Sequence, residues 1–354
     1  MVKPTRKSVK KIAGLSLLMV LVFSVFNLNM LLYGLTQLKG QVQLLLKRQS
    51  VSEIMAQSDT SNEIKNKLLF VDSVKQFAFK ELGFSENNNY TNYVELNGKP
   101  VLWTISASEK YSLIPFYWKY PILGEMAYKG YFDSLKLAEE SKSLMELNYE
   151  VCEGEVQAWS TLGFLPDPIL SSMLELPKEK LARLIIHELT HIEIFIASDA
   201  NLNENVASFI GDKGALLFLK KQYGKNSNEA TFLKNYLSDL DLLTSFTIDF
   251  KSNLAIFYET LEGKTDEEKE NLKEGFLSQY LVELRKLNFK NQDNFKGLLE
   301  SENNPKNCFF NDFSMYRDFQ QEFSEKLSND FKGDLKLFVK DYQTHFGNSI
   351  NPFR

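Results

Sequence analysis

Residues 177–197 read PKEKLARLIIHELTHIEIFIA: a proline suited to a first helical turn, then an apolar helical run interrupted by His187, Glu188 and His191. A spacing of four residues puts the two imidazoles one turn apart on the same helix face, where they can share one ion. Glu188 lies about 100° around the helix and can reach a water held at that ion. Two imidazoles and a carboxylate left unpaired on so apolar a helix would cost several kcal/mol, which a metal would relieve. The stretch therefore reads as an H-E-x-x-H zinc helix, with His187 and His191 as ligands and Glu188 as general base. Downstream, residues 203–209 (NENVASF) open a second helix that runs to about Gly224. Glu204 falls in its first turn, and a helix-loop-helix return over residues 198–202 brings that carboxylate back to the histidines as third ligand. Glu193 and Asp199 are the alternatives, and the helix dipole alone would also favour a glutamate at position 204. Three protein ligands leave a position for water, as in a catalytic rather than a structural zinc site.

With 44% hydrophobic residues in 354, the chain can fill a core, which excludes a disordered scaffold. A net charge of -5 offers no global positive field to a phosphate backbone, so no nucleic-acid partner is expected. Cys152 and Cys308 are too few for a four-thiolate zinc site. They read either as one disulfide, formed in an oxidising compartment, or as two buried thiols. Lys3, Arg6, Lys7, Lys10 and Lys11 precede an uncharged run, Ile12 to Leu38, that lacks a small-x-small cleavage site. The pattern predicts an uncleaved signal anchor over residues 1–38, a single-pass transmembrane helix with its basic stub in the cytoplasm. The catalytic part then lies on the non-cytoplasmic side, periplasmic in a bacterium.

Helical periodicity recurs from Gly40 to Gly83, and Asn97-Gly98 within Tyr90 to Ile105 is a hairpin signal. Phe132 to Leu147 reads as helix and Tyr149 to Thr161 as extended chain. Further helices are expected over Ala230 to Leu261, Asp266 to Leu287 and Phe309 to His345. The expected fold class is α+β: an N-terminal transmembrane helix, a zincin-like catalytic unit over 39–225 with a small sheet and the H-E-x-x-H helix, and a helical C-terminal portion over 226–354.

Residues 158–163 (AWSTLG) and 167–171 (DPILS), then 184–191 (LIIHELTH) and Asn203-Glu204 with Ala207 and Phe209, together resemble the bacterial predicted aminopeptidases, zinc proteins of the H-E-x-x-H plus glutamate class. The likeness extends upstream through Tyr33-Gly34, Gly40-Gln41, Leu44, Glu81-Leu82-Gly83 and residues 128–132 (YKGYF). It covers roughly residues 30 to 225; beyond them only Asn307 and Tyr316 line up. The resemblance implies that Trp159 to Gly163 approaches the metal from an edge strand, where a substrate peptide could pair by strand addition. Trp159 reads equally well as a core aromatic. Zinc aminopeptidases of this broad class hold the substrate amine with Gly-x-Met-Glu-Asn, but the nearest string here, residues 124–128 (GEMAY), lacks the Glu-Asn pair and leaves the amine anchor open. His345, Tyr128, Tyr131 and Tyr316 compete as oxyanion donors, His345 reading also as a helix-end residue. The expected function is that of a membrane-anchored, zinc-dependent metallopeptidase, an aminopeptidase acting on peptide substrates. The alternative is a membrane-tethered helical binding protein with a non-catalytic zinc site, for which an intact Glu188 has no use.

Overall fold

The computed structural model describes residues 28–120, 124–156, 158, 165–196 and 199–347. Helices of ten residues or more are numbered. Helix α1 (Leu28–Leu46) leads through β1 (Gln49–Ser50) to α2 (Asn62–Phe77), whose first turn is capped by the Ser61 hydroxyl accepting from the amide of Ile64. Its Leu68, Val71 and Val74 face inward at helical spacing, and a π-helical turn, Ala78–Leu82, ends at Gly83, where φ of 79° requires glycine. Strands β2 (Asn92–Val94), β3 (Leu102–Glu109), β4 (Trp118–Tyr120), β5 (Gly124–Met126) and β6 (Tyr128–Tyr131) follow. After them come α3 (Ser134–Glu146), β7 (Tyr149–Val156) and β8 (Ile169–Leu170). Thereafter the chain is helical: α4 (Lys178–Glu193), α5 (Ala200–Tyr223), α6 (Asn228–Glu259), α7 (Asp266–Leu284), α8 (Asn307–Arg317), α9 (Gln320–Asn329) and α10 (Leu335–Phe346).

The strands form three small sheets, ordered β1-β2-β8, β6-β3-β7 and β4-β5, with β2 and β8 parallel and every other pair antiparallel. The expected hairpin at Asn97-Gly98 does not form. The turn exists, with positive φ at both residues, but β2 and β3 enter different sheets because β3 takes β6 and β7 as neighbours. Turn chemistry fixes a local reversal; partner choice is decided by the faces the strands bury. Likewise the helical reach expected from Phe309 to His345 is three helices, broken after Arg317 and again at Lys332-Gly333, both at positive φ.

The expected transmembrane anchor is corrected. Among the described residues no helix is long and apolar enough to cross a membrane, so a single-pass membrane placement is not supported. Residues 12–27 of that expected segment lie outside the described residues. Residues 28–38 belong to α1, which runs on through Lys39 and docks against the sheet. The Tyr33 hydroxyl and the Gln37 amide both donate to the Gly130 carbonyl at 2.9 Å. Gly40 permits the contact, since a Cβ there would lie 2.2 Å from the Phe132 ring.

Buried apolar residues gather in three cores. The largest packs α2, α4 and α5 with β2, β8, α9 and α10; the second is an aromatic-rich cluster among α6, α7 and α8; the third lies between the β3 sheet and α3. A disulfide joins Cys152 of β7 to Cys308 of α8, with their Cα atoms 5.9 Å apart, so of the two readings open to the cysteines the bonded one holds.

Candidate active site

Helix α4 buries Leu181, Ala182, Ile185, Ile186 and Leu189 and turns Lys180, Arg183, Leu184, His187 and Glu188 toward a large cleft. Helix α5 crosses against it. The crossing is close because Gly211 faces α4, where a Cβ would come within 3.0 Å of the Arg183 carbonyl and 3.2 Å of the His187 Cβ. Glu204 sits seven residues earlier, two turns along the same face of α5, which carries its carboxylate to the histidines. The cap of α5 is the Asp199 side chain, accepting from the amide of Leu202, so Glu204 lies one turn inside the helix rather than at its start. Asn203 locks the preceding loop: its carboxamide oxygen accepts from the amide of Ile196, and its nitrogen donates to the carbonyls of Ile196 and Asp199.

The Nε2 atoms of His187 and His191 are 3.2 Å apart, and Glu204 Oε2 lies 3.2 Å from the first and 3.5 Å from the second. Three donors about 2.0–2.1 Å from one tetrahedral ion would stand about 3.3 Å from each other. Two imidazole nitrogens and a carboxylate oxygen with these edges fit zinc. The electrostatics agree. Burial opposes a charge on His191, yet the Glu204 carboxylate, with Glu188 and Asp167 beyond it, pushes His191 up to about 9. Against its own desolvation Glu204 is held well below the usual carboxylate range by the two histidines. The Glu204 carboxylate thus favours positive charge at the imidazoles beside it, whether a proton or a metal ion.

The triad and Glu188 line one cleft of about 1490 Å³. Its walls come from α1 (Leu31, Leu35, Leu38), from the edge strand β7, from Tyr128 of β6 and from Asp312 and Tyr316 of α8. The Tyr316 ring centroid is 6.3 Å from that of His187, and 41% of the residue is exposed, so ligands in the cleft can reach it. Its hydroxyl titrates well above the ordinary tyrosine range, first because of the Glu204 charge and then because of burial; Tyr128 is raised by burial, then by Glu204 and Glu188. Both phenols therefore keep their protons. The other sequence candidates lie elsewhere. Glu193 accepts from the amide and hydroxyl of Ser85 and from Gln343, while His345 is exposed at the end of α10 beside Asp341. Tyr131 packs in the small third core, and Asn307 donates to the carbonyls of Glu109, Lys110 and Ser112. Trp159 and residues 160–163 lie outside the described residues, and so does the edge-strand approach expected of them.

Sequence reasoning missed three supports of this site. Asn205 donates to the carbonyls of Ser314 and Met315 and accepts from the amide of Phe319, which fastens the end of α8 beside Glu204. Asp212 is buried between Arg183 and Arg317. Asp312 is held by the Ser106 hydroxyl at 2.6 Å. The run Asn203-Glu204-Asn205 carried a usable signal, since adjacent carboxamides inside an otherwise apolar helix need partners. Nothing local marks Asp212 or Asp312.

A family model described as "Putative aminopeptidase" matches residues 32–348, which takes in both helices of the His-His-Glu cluster, the sheets and the helices that follow. Searches of curated proteins and of solved structures return no match. The match extends through α8 and α10, beyond the part where the sequence resemblance was specific, and with nine-tenths of the chain inside it the protein belongs to this aminopeptidase-like family.

Proposed function

We propose that the protein is a zinc-dependent aminopeptidase in which His187, His191 and Glu204 hold the metal and Glu188 is the general base. Family membership supports peptide hydrolysis, and the observation that carries the finer reading is the convergence of three donors at 3.2–3.5 Å in a cleft that Glu188 also lines. When bound, zinc supplies Lewis acidity, polarising the scissile carbonyl and making water acidic enough for a carboxylate to deprotonate near neutral pH. Glu188 takes a proton from the attacking water and returns it to the departing amine as the C–N bond breaks. Tyr316 and Tyr128, which stay protonated, supply hydroxyl donors for the developing oxyanion.

The test is a pair of amide substitutions. Glu188→Gln keeps size and zinc content but removes the base, and peptide hydrolysis should fall by at least about 100-fold. Glu204→Gln should instead weaken zinc retention, because a neutral amide is a poorer ligand. Undiminished turnover in Glu188→Gln would refute the mechanism. Tight zinc binding by the wild type with no hydrolysis across a broad peptide library would point to a binding protein.

A further inference from the structure

An aminopeptidase must recognise the free α-ammonium group of its substrate, and the two-residue acidic signature that could do so is missing from residues 124–128. Among the described residues six carboxylates line the cleft: Glu153, Glu155, Glu188, Asp199, Glu204 and Asp312. Glu188 and Glu204 are taken by the chemistry proposed above. Asp199 caps α5, and Glu153 and Glu155 are exposed to water on β7. Asp312 remains. It is largely enclosed, its Oδ2 accepts from the Ser106 hydroxyl of β3 at 2.6 Å, and no cation among the described residues pairs with it. An enclosed carboxylate without a counter-charge is costly unless something positive arrives.

Its position fits. Asp312 and Tyr316 are four residues apart on α8, so they share a face at a rise of about 6 Å. Tyr316 lies beside His187, and Asp312 stands one helical turn further along α8, on the wall of the same cleft as the triad. In an amino-terminal residue the nitrogen stands about 2.5 Å from its own carbonyl carbon. A charge-assisted hydrogen bond adds about 2.8 Å, for a carboxylate-to-carbonyl separation of about 5 Å. We propose that Asp312 anchors the α-ammonium group of the substrate, with Ser106 as the positioning residue that fixes its carboxylate. This assignment rests on the aminopeptidase reading and deepens it by naming the group that would read the free amino terminus. The titration of the group agrees: burial pushes the Asp312 carboxyl up to about 6, so at neutral pH it is an ionised group in surroundings that favour pairing.

The experiment is calorimetric binding of leucinamide and of N-acetyl-leucinamide to the zinc-loaded full chain, with no turnover required. Wild type should bind the free amine at least about tenfold more tightly, the scale of a hydrogen bond to a charged group. Asp312→Asn should abolish that preference while leaving zinc content and the affinity for the acetylated ligand unchanged, and Asp312→Ser gives a second variant should the first fail to fold. Equal affinities in the wild type, or a preference that survives in both variants, would overturn the assignment. Binding of leucinamide that depends on Asp312, without cleavage of any peptide, would keep the amine site and sink the peptidase reading. Cleavage that ignores amine blocking would do the reverse.

Discussion

Asp212 is the carboxylate on which the walls of the cleft close. Arg183, one turn before His187, pairs with one of its oxygens, and Arg317, next to Tyr316, pairs with the other at 2.6 Å. Burial works against its charge, but the two guanidinium groups hold its carboxyl below the ordinary aspartate value. Asp212→Asn leaves both arginines without their shared counter-charge, and the expected loss is about 3–5 kcal/mol of unfolding free energy, measured by urea denaturation. The sign with pH follows from the depressed folded value. The contribution is fully present above the unfolded pKa of about 3.9 and disappears as pH falls through the folded one, so wild type and variant should converge only in strong acid. At this scale the cluster of His187, His191 and Glu204 was legible in the sequence and its supports were not. His187, Glu188 and His191 declare themselves because their geometry is set by a single helix. Asp212 and Asp312 look like ordinary surface aspartates until arginines, or their absence, surround them in space.

The two helices that carry the His-His-Glu cluster meet through a missing side chain. Gly211→Ala would place a methyl group 3.0 Å from the Arg183 carbonyl and 3.2 Å from the His187 Cβ, and helix backbones cannot yield as a flexible side chain can. The helices should part by a few tenths of an ångström, carrying Glu204 away from the histidines. On the proposed zinc assignment, affinity should fall by about 10–100-fold, the range seen when the support of a ligand is altered. Competition with a chromophoric chelator measures it, and unchanged affinity would mean that α5 is positioned by something other than this crossing. Element types were largely readable from periodicity. Their partners were not: the Asn97-Gly98 turn is local chemistry, whereas the separation of β2 from β3 depends on strands as distant as β7 and β8.

Across the whole molecule the cleft lies where the sheet carrying β3, β6 and β7 faces the helical layers, and each wall is tied to another. The sequence offered Tyr316 only as one of four competing donors, and it is the three-dimensional contact of α8 that sets its ring 6.3 Å from that of His187. An uncharged amino-terminal run reads alike whether lipid or protein covers it; the described part of this one is α1, docked on the sheet by Tyr33 and Gln37. Replacing both Cys152 and Cys308 by serine should cost about 2–5 kcal/mol in unfolding free energy. The bond has another consequence. With its ends 156 positions apart in the sequence, it makes α4, α5, α6 and α7 part of a closed covalent ring, with the amino- and carboxyl-terminal segments as two tails. A nick anywhere inside the ring opens a loop without releasing a piece. Limited proteolysis at the exposed turn around Gly224 should therefore give a species that migrates as the intact chain on a non-reducing gel and separates into two fragments only after reduction. Loss of a fragment before reduction would show that the ring is not closed in solution.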